Sequence, residues 1–203
     1  MTTATLTNAG LNQLAGALIG VTGLAANPAI TWIALGTGAG LLATGLTNGT
    51  AYTTLSLQAG LPFAIANGQS LTVMNATNTQ VITLAVAANP GDTTLTVTSF
   101  TANFSYPVNS GVVNTPAATD TALQNEIFRK AISAGITGAA AGEVLITLYV
   151  APTDSPGFTF LEVGWYGGNA DSGTNDGVLM ARALYWYVHT ATDSANVQLD
   201  TTV

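Results

Sequence analysis

The chain has no cysteine and very little charge: of 203 residues, 3 are Lys or Arg and 10 are Asp or Glu, a formal net charge of −7. Without cysteine there is no disulfide framework, no thiolate nucleophile and no thiolate metal site. The cations are Arg129, Lys130 and Arg182. They are too few to neutralise a nucleic-acid backbone or to form a polybasic membrane anchor, so no nucleic acid and no membrane is expected as a partner. The longest apolar stretch, Leu14 to Ala26, is broken by glycine. It falls short of the roughly 20 residues that a bilayer span takes. The N-terminal MTTATLTNAG lacks the positive region of a secretory signal. A soluble protein made in the cytoplasm is expected.

What is present is apolar material, 48% of the chain, enough for a sizeable core and opposite to the signature of disorder. No charged residue precedes Asp92. Hydroxyls and amides must keep that half soluble, or a partner must cover it. Ions are the costliest groups to bury, so a charge-poor surface is cheap to press against another chain. Such a composition suits a part of a durable assembly.

The pattern predicts a first helix over about Asn8 to Gly20, capped by Thr7 or Asn8, with Leu11, Leu14 and Leu18 at helical spacing. Ile30 to Leu35 and Ala51 to Leu57 read as strands. From 58 to 115, turn signals at Asn67-Gly68, Asn89-Pro90-Gly91-Asp92 and Asn109-Ser110-Gly111 separate the strand-like runs LTVM, QVITLAV and TLTVTSF. This segment reads as a small β-subdomain inserted in a discontinuous base domain, 1–57 and 116–203. TDTALQNEIFRKAI, 119–132, predicts a second helix, with Leu123, Ile127 and Ala131 on one face and a Glu126–Lys130 pair. The last third carries four candidate strands, at 143–150, 158–167, 177–189 and 196–203. No βαβ alternation is present, which argues against a parallel sheet. No tandem repeat and no heptad run is read. The expected fold is mainly β (α+β): an antiparallel β-sandwich-like base with two short helices and the inserted subdomain.

Catalytic material is thin. His189, the single histidine, sits at the end of an aromatic strand and reads as packed rather than as a general base. GTGAG at 36–40 lacks the third glycine and the βαβ setting of a dinucleotide loop, and reads as a turn. Glu126, Glu143 and Glu162 are the glutamates available to a glycan hydrolase. Asp171, Asn175 and Asp176 offer oxygens to a cation without the spacing of a calcium loop, and an Asx-rich turn is the simpler reading. No catalytic residue, cofactor or metal is assigned. Glu162 and Arg182 each stand alone in an apolar strand, FLEVGWY and LMARALY. A buried ion left unpaired costs several kcal/mol. The two are therefore expected to meet across neighbouring strands or a subunit boundary, the alternative being that both face solvent.

In order along the chain, ITWIALGTG, TDTALQNEIFRKAI, FLEVGWYG, LMARALY and QLDTTV resemble the phage tail-collar fibre and related baseplate or fibre-attachment proteins. The resemblance covers about 5–57 and 116–203. It implies a non-enzymatic virion structural protein, made in the host cytoplasm and commonly homotrimeric, docking on major capsid, tail or baseplate subunits. Asn125, Glu126, Arg129, Glu162 and Arg182 match the polar positions of its pattern, with a structural or interface role. Fibre members continue into a shaft and tip that this sequence lacks. That departure points to a head decoration or cement protein, or to a tail-collar or baseplate attachment piece. The alternative is a host-receptor or carbohydrate-binding adhesin, in which Trp165, Tyr166 and Trp186 would stack on sugars.

Overall fold

The computed structural model describes residues 4–19, 29–137, 143–154, 156–168 and 170–202. The chain forms two compact units, one of Met1–Gly36 with Pro116–Val203 and one of Thr37–Thr115. In chain order the first unit opens with β1 (Thr5–Leu6), α1 (Asn8–Ile19) and β2 (Trp32–Gly36). The second contains β3 (Gly40–Leu41), β4 (Ala51–Ser56), β5 (Ser70–Met74), β6 (Thr79–Thr83), β7 (Thr94–Thr101) and β8 (Gly111–Asn114). The chain then returns with β9 (Glu126–Ala131), β10 (Ala134–Thr137), β11 (Glu143–Val150), β12 (Thr159–Gly167), β13 (Val178–Val188) and β14 (Ala195–Thr202). All named strand pairs are antiparallel.

The first unit is β-sandwich-like. One sheet has the order β1-β13-β12-β2-β9, the other β10-β11-β14. Alternation along the strands aims Ile33, Leu35, Phe160, Val163, Trp165, Ala181 and Ala183 of the larger sheet at Ile146, Leu148, Val150 and Val197 of the smaller. Helix α1 starts as its sequence predicts. Thr7 is the cap, its Oγ1 accepting the Gly10 N–H at 2.9 Å. The predicted Gly20 end lies outside the described residues.

The second predicted helix does not form. Residues 116–125 are a loop, and 126–131 are strand β9, paired with β2 from Gly36↔Glu126 to Trp32↔Ala131. The helical spacing of Leu123, Ile127 and Ala131 is real but weak as a prior, and tertiary pairing overrides it. As a strand, the segment packs Ile127 and Phe128 against the sandwich core while Leu123 joins Ala34, Tyr166 and Leu179 on the opposite face.

The second unit begins earlier than the expected 58, at Thr37, because β3 and β4 pair with β8 and β7. It also contains the repeat that the sequence reading misses. An apolar residue, a second four positions on, and Gly or Asn three later recur as Leu42-Leu46-Gly49, Leu61-Ile65-Gly68, Leu84-Ala88-Gly91 and Ala102-Tyr106-Asn109. The first two motifs map onto the last two, so residues 42–73 and 84–114 are two copies of one design. Each motif ends in a turn closed by an i+3 bond: Thr50 N to Thr47 O, Gln69 N to Ala66 O, Asp92 N to Asn89 O and Ser110 N to Pro107 O, at 3.1–3.2 Å. The third turn position has φ of 77°, 80°, 92° and 74°, the type II geometry that demands Gly or Asn there.

The copies interlock. Motif one pairs with motif four, through Leu46 N to Tyr106 O at 2.7 Å and Tyr106 N to Leu46 O at 2.9 Å. Motif two pairs with motif three through Ile65 and Ala88, 2.9 Å each way. Equivalent strands pair across the halves as well, β4 with β7 and β5 with β8. Leu42, Leu46, Leu61, Ile65, Leu84, Ala88, Ala102 and Tyr106 all point into one core.

Candidate functional site

The outer face of the five-stranded sheet carries the polar residues. Ala34, Gly164 and Arg182 lie abreast on β2, β12 and β13, with Glu162 opposite Gly36. Small residues make the room. A Cβ at Gly36 would lie 2.5 Å from Glu162 Oε1 and 2.8 Å from the Asn125 carbonyl oxygen, so only glycine fits beneath the carboxylate.

Glu162 and Arg182 meet across neighbouring strands inside one chain. Both side chains are fully buried, with Arg182 Nη2 2.7 Å from Glu162 Oε2 and Arg182 Nε donating to the same oxygen at 2.9 Å. The other carboxylate oxygen accepts the backbone N–H groups of Gln124 and Asn125, each at 3.1 Å. Arg182 Nη1 reaches Asp120 Oδ2 at 2.6 Å, and that oxygen also accepts the Ala117 N–H at 2.9 Å. The 116–125 loop is thereby fastened to the middle of the sheet.

A second cluster adjoins it. Arg129 and Glu126 form a bidentate pair, Nε to Oε1 at 2.7 Å and Nη2 to Oε2 at 3.0 Å. Their side chains are 3% and 2% exposed, so this is a buried pair rather than a surface one. The guanidinium lies 4.0 Å from the centre of the Tyr166 ring, a cation–π contact. Its Nη1 donates to the carbonyls of Asp176 at 3.0 Å and Asp171 at 3.3 Å. Tyr166 donates its hydroxyl proton to Asn175 Oδ1 at 2.8 Å and accepts the Leu123 N–H at 3.0 Å. Burial pushes that hydroxyl well above its ordinary range, so it stays a neutral donor.

All five residues singled out from the sequence thus come together, Asn125 through its backbone and the others through their side chains. Asp120, Tyr166 and Asn175 complete the cluster in roles that the sequence does not suggest. Asp120 lies in the segment expected to be helical, Tyr166 reads as a sugar-stacking aromatic, and Asn175 as a cation ligand or a residue of an Asx-rich turn. The Glu126–Lys130 pair expected on a helix is replaced by Glu126–Arg129. Lys130 turns to Asp154 at 2.7 Å. Burial tends to raise the Asp154 carboxyl, but the hydrogen bonds from Lys130 and the Ala151 amide, with the Lys130 charge, carry it below its ordinary value.

No family model, curated protein or solved structure matches this chain. Its chemistry is therefore read from its own geometry. The Glu162 oxygens take four N–H donors and open onto no solvent, an arrangement that clamps backbone and leaves no lone pair aimed at a substrate. Asp171 Oδ1 accepts the Gly173 N–H at 2.6 Å and Asp176 Oδ2 the Asp171 N–H at 2.8 Å, an Asx-type turn. Among the described residues no group of three His, Asp or Glu could hold a metal ion, and no helix is long and apolar enough to cross a membrane. His189 is fully buried, stacked on Phe160 with ring centres 6.0 Å apart and beside Tyr187 at 5.6 Å. Of the aromatics a sugar-stacking face would use, Trp165 and Tyr166 are buried in the core and Trp186 is half-buried.

Proposed function

We propose that the chain is a non-enzymatic structural component of a phage virion, a homotrimer docked on capsid, tail or baseplate subunits as a decoration or attachment piece. The observation that carries this reading is the placement of the cations. Arg129, Lys130 and Arg182 are all engaged in ion pairs within the chain, both arginines with buried side chains. Among the described residues, what faces outward is hydroxyl, amide, apolar, a few acids and part of the Lys130 side chain, a surface that loses little hydration energy when covered. Binding to assembled subunits in preference to free ones then stabilises the particle by mass action. The charge-poor module of residues 37–115 adds a second such surface, with Val81, Val86, Phe104 and Val108 exposed.

The test is particle composition. Protein mass spectrometry and imaging of purified virions should find the chain in many symmetry-related copies. Recovery only as a free monomer that turns over a small molecule contradicts the proposal.

A further inference from the structure

The four equivalent turns of the second unit differ in chemistry. Glycine or asparagine at the third turn position is required by the positive φ, but the residue before it is free to vary, and the four turns place Asn48, Asn67, Pro90 and Val108 there. Two turns therefore contain Asn-Gly, and the chain has no other Asn-Gly pair. Asn-Gly is the dipeptide most prone to spontaneous deamidation, because glycine has no side chain to obstruct attack by its own nitrogen. Both asparagines are exposed.

The attacking nitrogens are not free. Gly49 N donates to Ala102 O at 2.8 Å, and Gly68 N to Leu84 O at 2.9 Å. Each bond crosses from one half of the duplication to the other, and each belongs to a motif pair whose central residues also exchange two backbone bonds. Ring closure needs that nitrogen to lose its proton and swing onto the asparagine Cγ, so the bond must first break.

We propose that Asn48 and Asn67 are deamidation sites that the cross-half pairing keeps silent and that react when the pairs open. The glycine nitrogen bonds to Cγ, and the side-chain nitrogen leaves as ammonia, giving a succinimide. Water then opens the ring to aspartate or to an isoaspartyl link that routes the main chain through the side-chain carbon. Each event places a carboxylate in a stretch that has no charge before Asp92, and the isoaspartyl form cannot rebuild the turn. The two turns are thus a covalent record of the module's opening.

The test uses the full chain, incubated at mildly alkaline pH with and without denaturing urea and read by peptide mass spectrometry. Conversion at Asn48 and Asn67 is expected to be at least about tenfold slower in the folded chain, because modification tracks the open fraction. Ala88→Pro removes the Ala88 N–H bond to Ile65 and loosens the second turn with the third. It should speed conversion at Asn67, with Asn48 following only if the whole module opens. Equal rates at the two sites with and without urea overturn the proposal, whatever the variant does.

Discussion

The two units of this chain are held by different means. The sandwich contains 12 of the 13 charged residues and fastens its loops by side chains, through the Glu162–Arg182–Asp120 and Glu126–Arg129 clusters. The duplicated module has a single charged residue, Asp92, and fastens its halves by backbone, through reciprocal N–H to carbonyl bonds between turns of one design. Side-chain clamps are specific to one place and fail all at once when a partner is removed. Backbone pairing is tolerant of sequence, which is why Tyr106 can stand where its copy has Ile65, and Asn109 where its copy has Gly68.

That contrast predicts where each unit is vulnerable. The largest effect belongs to Arg182→Ala, which leaves Glu162 buried without its cation and should cost the sandwich about 3–5 kcal/mol. Adding Glu162→Gln should recover part of the loss, and simple additivity of the two in chemical denaturation would argue against the buried pair. Hydrogen exchange in the second unit should be unchanged in either variant.

Next comes Gly68→Ala. No atom lies within 4 Å of the added methyl, so its cost is the backbone strain of φ 80° alone, about 1–3 kcal/mol. It should weaken exchange protection across Ile65–Ala88 and leave the sandwich untouched. Tyr166→Phe keeps the ring under Arg129 but removes the hydroxyl that serves Leu123 and Asn175, for a loss of about 1 kcal/mol. A neutral effect on thermal unfolding would mean that Asn175 alone satisfies the Leu123 amide.

The smallest effect is at Asp154, whose pair with Lys130 is partly exposed and contributes at most about 1 kcal/mol. Its carboxyl is lowered in the folded chain. The stabilisation is therefore complete above the ordinary aspartate value near 4 and fades as pH falls through the lower folded value. Asp154→Asn should flatten that acid limb of the stability curve and leave the neutral range nearly unchanged.

Much of this was legible in the residues, for reasons that differ by element. Strand β7 follows from apolar alternation, and β11, β12, β13 and β14 from strand-like runs set off by turn and loop residues; their ends fall within a residue or so of expectation. Glu162 and Arg182 stood out because a lone ion in an apolar strand must find a partner. The second helix was misread because EIFRKA satisfies both helical spacing and strand propensity, and only pairing with β2 decides between them. The duplication was hidden because its signal is three positions in eight, and the apolar ones drift from Leu to Ala, Ile and Tyr. Backbone bonds impose the geometry of a turn on whatever side chains allow it, so identity erodes while the pairing stays.

The central claim of the proposed function is that the three cations are paired within the chain and that contact with other chains rests on largely uncharged surface. Sedimentation of the purified protein across a wide range of salt tests it most directly. The expected result is the mass of three chains at low and high salt alike. A single-chain mass throughout, or an oligomer that salt dissolves, would contradict it.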